Sequence, residues 1–441
     1  MTRGRKRLLA AAVGGLLVAA VAVRLLWLGG DYFQPSTTET NNVATSLATT
    51  GDFANPFILG GGATAHLSPI MPWLISLVYR AAGVRSPESE VILTLCAIAF
   101  VTLSFWLAYR LFRRLGAPLA AALGGLALVA LVPLQFNLET REMAVWEAPL
   151  GVIGILAALH WTLTLDARPG LRWTALLPLT GLAALLFVFS PPVGLACLAL
   201  IAVLAMRRLP RREWLAIGAA GALALILFTL PWALRNQREM GRLIWTRSNG
   251  GLELAIAYND LMLDRPDTGA AYLARLDQIQ PDRPNGRAFA AMQAAGGELR
   301  YYDRLGAETR AWIAAHPAGT ARLFLRHIGE YVVPPAWFFN VWQRPSVGAI
   351  GVRRVFAAAF MIVALAGLPL LIWRDRRYLY VAVAIVVLML PYVVVQPILR
   401  YRYLTSTLAL FVAADISVRL LTALWQRRRR AGSEIAPAEQ A

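Results

Sequence analysis

The sequence predicts an all-α polytopic membrane protein with about ten transmembrane helices, interfacial helices in a first outer loop and a mostly helical second outer loop. Three observations lead there. Of the 441 residues, 58% are hydrophobic and only 15% charged, against about 25% charged in soluble domains. One aqueous core cannot bury that much apolar surface, and mean hydropathy is +0.55. The apolar residues gather in runs close to the ~20 residues a bilayer span requires. The net charge of +18 comes almost wholly from arginines, Lys6 being the single lysine, set in short turns between those runs. That is the signature of loops kept in the cytoplasm, and it excludes nucleic acid as the expected partner.

The spans follow in order. A basic stretch, Thr2 to Arg7, precedes an apolar run too long for a signal peptide, so 8–29 reads as an uncleaved first span. Further spans are expected at 90–109, 117–136, 143–164, 174–190, 191–206, 213–233, 353–373, 378–397 and 403–425. The fifth and sixth are short and meet at Ser190-Pro191-Pro192, which suggests either a tight hairpin or a partly re-entrant pair. Placing both termini in the cytoplasm puts Arg110, Arg113, Arg114, Arg168, Arg172, Arg207, Arg208, Arg211, Arg212, Arg374, Arg376, Arg377 and Arg427 to Arg430 there as well. The exceptions are Arg353, Arg354, Arg400 and Arg402, which flank spans on the outer side. The chain divides into an N-terminal transmembrane region, 1–234, whose first outer loop covers about 29–89, and an outer loop region, 235–352. The C-terminal spans, 353–426, and a cytoplasmic tail, 427–441, complete it.

In the first outer loop, Pro72 to Ala82 has apolar residues at helical spacing and is too short to span, so it reads as an interfacial helix. In the second, His316 to Tyr331 is amphipathic, and Trp337, Phe338, Phe339 and Trp342 suit the headgroup region. Cys96 and Cys197 lie in apolar runs, and His66, His160, His316 and His327 lack metal-ligand spacing. No nucleotide-binding loop is present.

Groups that carry chemistry concentrate on the outer side. Glu39, in Pro35-Ser-Thr-Thr-Glu39-Thr-Asn-Asn42, has the character of a general base or metal ligand; the plainer reading is a helix N-terminus, where a carboxylate meets orphan N–H groups. Asn137 to Glu147 holds Glu139, Glu142 and Glu147 beside Arg141, either lining a polar cavity or tied into a salt bridge. Arg400-Tyr401-Arg402-Tyr403 sets two guanidinium forks at phosphate depth, with snorkelling to headgroups as the alternative.

Four stretches now carry a resemblance. They are Glu39 to Ala48 with Gly51 to Phe57; Ala63 to Trp73; Leu230 to Asn236 continuing through Arg247 to Leu254; and Arg400 to Tyr403. Together, in that order, they resemble the polyprenol-phosphate-sugar-dependent glycosyltransferases of the GT-C superfamily, nearest the protein mannosyltransferase-like and bacterial aminoarabinose-transferase-like branch. The resemblance implies an inverting hexosyl- or pentosyltransferase in the cell (inner or cytoplasmic) membrane, its site on the periplasmic or extracellular face. Its partners would be a polyprenyl-phosphate-linked sugar, a lipid, glycan or protein acceptor, and membrane lipids. The catalytic carboxylate maps onto Glu39, with Asp31 and Asp52 as rivals because the family's acidic pair reads Thr38-Glu39 here. A second acid maps onto Glu142 or Glu147. Arg400, Arg402 and Arg235, with Tyr403 and Arg141, would bind substrate. Some relatives use a divalent metal, for which no ligand set matches here. A transporter or flippase of lipid-linked saccharides is the alternative, and a non-catalytic scaffold a further one; both suit the outer-face acids less well.

Overall fold

The computed structural model of the chain describes residues 2–28, 38–132, 134–140, 148–339 and 347–434. Nineteen α-helices occur among them. Seven are long and apolar enough to cross a membrane: α1 (Arg3–Leu28), α4 (Pro87–Arg114), α7 (Ala148–Asp166), α9 (Pro191–Arg208), α10 (Arg211–Met240), α17 (Val347–Arg374) and α19 (Leu399–Glu434). Three shorter apolar helices, α5 (Leu119–Leu131), α8 (Leu177–Phe189) and α18 (Tyr378–Val394), supply the remaining expected runs. The protein is a multi-pass, all-α membrane protein.

Breakers in the sequence set the ends. Ser86 caps α4 by accepting the Ser89 N–H, and Pro87 follows at the first helical position. α8 stops at Phe189 and α9 begins at Pro191, making the tight hairpin. Gly194 allows it, since a Cβ there would collide with the Phe187 backbone. α10 runs past the expected end at 233 to Met240, where Gly241 closes it with φ +73°.

The two ends of the bundle differ in chemistry. At one, arginines staple neighbouring turns through backbone carbonyls: Arg377 donates to Arg114 O (3.3 Å), Arg207 to Arg376 O (2.8 Å) and Arg419 to Gly116 O (3.0 Å). The other carries both long loops. The first holds α2 (Glu39–Thr49), a short hairpin around Phe57–Gly60 and α3 (Ile70–Ala82). Gly60, Gly61 and Gly62 all have positive φ (102°, 128° and 77°), which explains three glycines in a row. The second folds into α11 (Gly250–Ala257), α12 (Asp260–Asp264), α13 (Thr268–Ile279), α14 (Arg287–Ala294), α15 (Glu298–Ala315) and α16 (Pro317–Val332). α11 crosses α15 so closely that a Cβ at Gly251 would strike the Tyr302 carbonyl.

The loops are locked together by a buried carboxylate. Glu298, 5% exposed, accepts from Thr64 Oγ1 (2.5 Å), Ser248 Oγ (2.5 Å) and Ala65 N (3.3 Å). Arg235 adds bonds to Thr64 O (2.7 Å) and Phe53 O (2.5 Å) and lies over the Phe53 and Trp232 rings. Within the bundle, Arg24 of α1 is fully buried and pairs with Glu139 of α6 (Phe136–Thr140) while donating to Val129 O and Ala130 O.

Candidate active site

Glu39 is the first residue of α2, so its carboxylate sits at the positive end of the helix. The polar residues after it do the placing. Asn41 donates to Tyr79 Oη (2.7 Å) on α3, and Asn42 donates to Pro56 O (2.9 Å) and accepts from Arg85 (2.5 Å). Glu39 itself accepts from Gln280 Nε2 (3.2 Å), in the turn after α13. The capping interpretation and a chemical role are therefore compatible: Thr38 makes no side-chain cap, and the carboxylate faces the second loop.

Beside α2 lies a cavity, open on one side, at the junction of both loops with α7, α18 and α19. Thr40, Leu67, Ser68, Met71 and Pro72 line it from the first loop, Ala148 from α7, Arg247 from the second loop, Tyr392 from α18, and Arg400, Tyr401 and Leu404 from α19. Arg247 donates to Ser68 Oγ (3.0 Å). Arg400 lies over the Tyr401 ring (5.0 Å), which stacks on Tyr392 (4.3 Å, 14°), so a rigid aromatic pair orients the guanidinium. Asn249 holds the Glu253 carboxylate on α11 (3.2 Å). Burial pushes the Glu253 carboxyl up, Arg400, His66 and Arg247 pull it back, and Glu39 pushes it up again, so these five groups share one electrostatic neighbourhood. Asp282 is pushed up to about 7 by burial and by Glu39, against the Ile58 N–H (2.8 Å) and Arg283. His66, 4% exposed, bonds Tyr302 Oη through Nδ1 (2.9 Å).

Of the residues expected from sequence, Arg400 lines this cavity and Glu39 adjoins it through Thr40. Arg402, two positions along the helix, turns away: it is fully buried and donates to the carbonyls of Tyr331, Val332 (3.4 Å) and Ala357 (3.2 Å). Its job there is to join α16, α17 and α19. Tyr403 faces a separate space lined by Gln135, Glu139 and Ser406, not the Arg400 cavity. Arg235 is taken up in bracing the first loop, and Asp52, a rival to Glu39, is exposed. Asp31, Arg141, Glu142, Glu147 and Trp342 lie outside the described residues. The other two outer arginines also have structural partners, Arg353 lying over Trp27 (5.2 Å) and Arg354 donating to Pro334 O (2.9 Å).

Sequence reasoning gave no role to Arg247 or Glu253, although both lie in a stretch that carries the resemblance, and it passed over Gln280, Asp282 and Tyr392. The available signals were Asn249 and Glu253 at i, i+4 on either side of a Gly-Gly pair, and Tyr401 between two arginines. Among the described residues no group of three or more His, Cys, Asp or Glu is arranged to hold a metal ion.

Comparison with known proteins fits this arrangement. The family model described as dolichyl-phosphate-mannose-protein mannosyltransferase matches residues 66–232. Among solved structures, the oligosaccharyltransferase AglB from Archaeoglobus fulgidus, in complex with an inhibitory peptide and a dolichol-phosphate, superposes with a TM-score of 0.52 at 15% identity, covering 100% of this chain and 53% of that one. The chain shares its fold with part of that oligosaccharyltransferase. The same oligosaccharyltransferase in complex with zinc and sulfate gives 0.52 at 14% identity, over 97% of this chain and 51% of that one. ArnT from Cupriavidus metallidurans, bound to undecaprenyl phosphate, is also similar, at 14% identity over 94% and 78%, but with a TM-score of 0.35 that adds no weight. The chain spans about half the length of the oligosaccharyltransferase. No curated protein matches it by sequence alone.

Proposed function

We propose that this protein is a glycosyltransferase that moves a hexosyl or pentosyl unit from a polyprenyl-phosphate carrier to a lipid, glycan or protein acceptor. The single observation that supports this reading most is the cavity where Arg400 and Arg247 meet the charges of Glu39 and Glu253 at the membrane-facing junction of the two loops. Two guanidinium forks suit a phosphodiester. The arginine-stapled turns at the opposite end argue for a cytoplasmic location of that end and of both termini in a cell membrane, with the cavity on the external face. Nucleotide sugars are absent there, which favours a lipid-linked donor.

In the proposed reaction, Glu39 takes the proton from the acceptor hydroxyl as its oxygen attacks the anomeric carbon. The bond from that carbon to the phosphate oxygen breaks, and the carrier phosphate leaves with the electron pair, stabilised by Arg400 and Arg247. Direct displacement inverts the anomeric centre. Glu142 or Glu147 would add a second acid, and a divalent metal ion, if bound, would share the charge of the leaving phosphate with the arginines. Arg235, Arg402, Tyr403 and Arg141 are proposed to support the site rather than touch the phosphate first.

Sugar transfer from a defined polyprenyl-phosphate donor tests the role of Glu39. Glu39→Gln lowers turnover by roughly 10²–10⁴-fold, the usual worth of a positioned base, while donor binding persists. Undiminished turnover in that variant removes Glu39 from the mechanism. Movement of labelled donor between leaflets without any glycosylated product would instead favour a flippase.

A further inference from the structure

The inner half of α1 leaves the bundle open. Its outer half is anchored, with Ala20, Arg24 and Leu28 buried and Arg24 tied to Val129 O, Ala130 O and Glu139. Towards the N-terminus only Val13 is buried. Between this half and the last turns of α4 lies a groove of about 750 Å³, at the arginine-rich end and remote from the candidate active site. Leu9, Val13 and Leu17 form one wall, Trp106 and Tyr109 the other, and Lys6 stands at the mouth. Gly14 is its floor: a Cβ there would meet nothing within 4 Å.

Length and charge identify an occupant. Lys6 to Leu17 is twelve residues of helix, its eleven steps rising about 16 Å at ~1.5 Å each, or half of a ~30 Å hydrocarbon core. The groove thus runs the depth of one leaflet. Its cationic end has two members, Lys6 and Arg110, whose guanidinium lies over the Trp106 ring (5.2 Å). Neither α1 nor residues 91–114 of α4 carries an acidic side chain. We propose that this groove binds one acyl chain of an anionic phospholipid from the leaflet on the arginine-rich side, its phosphate held by Lys6 and Arg110. The bound lipid wedges α1 against α4 where protein packing is missing.

Native mass spectrometry of the full-length protein, titrated with phosphatidylglycerol or phosphatidylcholine, tests this. One retained phosphatidylglycerol is expected, favoured roughly five-fold over phosphatidylcholine, the worth of one cation at a membrane surface. Gly14→Leu projects into the groove, where a Cβ meets nothing within 4 Å, and removes that adduct. Lys6→Gln keeps lipid binding but weakens the headgroup preference, and Lys6→Gln with Arg110→Gln abolishes it. Adducts equal in wild type and Gly14→Leu overturn the proposal. So does a protein dimer lost in Gly14→Leu, which would make a second copy the occupant, or displacement of phosphatidylglycerol by added polyprenyl phosphate. None of these readouts depends on glycosyl transfer, so the groove and the active-site reading fail separately.

Discussion

Replacing Arg400 with alanine removes a guanidinium held on Tyr401 (5.0 Å) and bonded to its hydroxyl (3.3 Å) at the wall of the cavity. A unit charge pair at ~4 Å is worth about 4 kcal/mol at an effective dielectric near 20. Net hydrogen bonds to charged groups are worth about 1.5–3 kcal/mol. Arg247 on the same cavity still attracts the phosphate, so the expected loss is about 2–3 kcal/mol, or roughly 30–150-fold in kcat/KM. Arg400→Lys keeps the charge without the fork or the flat stacking surface, and about tenfold loss is expected. The assay is transfer of radiolabelled sugar from a polyprenyl-phosphate donor in detergent micelles, with donor affinity measured alongside. An Arg400→Ala variant within twofold of wild type refutes the reasoning that this guanidinium holds the carrier phosphate.

Glu298→Ala strips three donors of their shared acceptor in a buried interface; a stability loss of about 3 kcal/mol is expected, read as a lower Tm and faster proteolysis of the 235–332 region. Breaking the buried Arg24–Glu139 pair with Glu139→Ala should cost about 3–5 kcal/mol, whereas replacing both by apolar residues of similar volume restores most of it; a melting curve in detergent distinguishes the two. Asp282 binds its proton more tightly in the folded protein, so its contribution to stability is full below the usual carboxylate range and fades as pH rises through about 7. Thermal stability between pH 4 and 8 should therefore decline less steeply in Asp282→Asn, and an unchanged profile would contradict that assignment.

The bundle was legible because lipid imposes a simple rule: apolar runs of spanning length must close their own backbone hydrogen bonds as helices. Thus even the Ser190-Pro191-Pro192 hairpin and the helix near Pro72–Ala82 emerge where hydropathy and breakers put them. Helix ends were less legible, as α10 continues through Arg235 to Met240 in polar sequence stabilised by loop contacts. The outer arginines show the limit more sharply. Arg400 and Arg402 are alike in sequence, yet one lines the cavity and the other satisfies carbonyls from α16 and α17 that arrive from 45 to 71 positions away. Arg247, Glu253 and Asp282 escaped notice for the same reason: their meaning comes from loop-to-loop packing, which leaves no local period.

The most direct test of the central claim is a structure of the protein with polyprenyl phosphate bound. The account predicts phosphate oxygens about 2.7–2.9 Å from the guanidinium nitrogens of both Arg247 and Arg400, with the chain leaving along the membrane boundary. A phosphate bound elsewhere, with both arginines untouched, would contradict it.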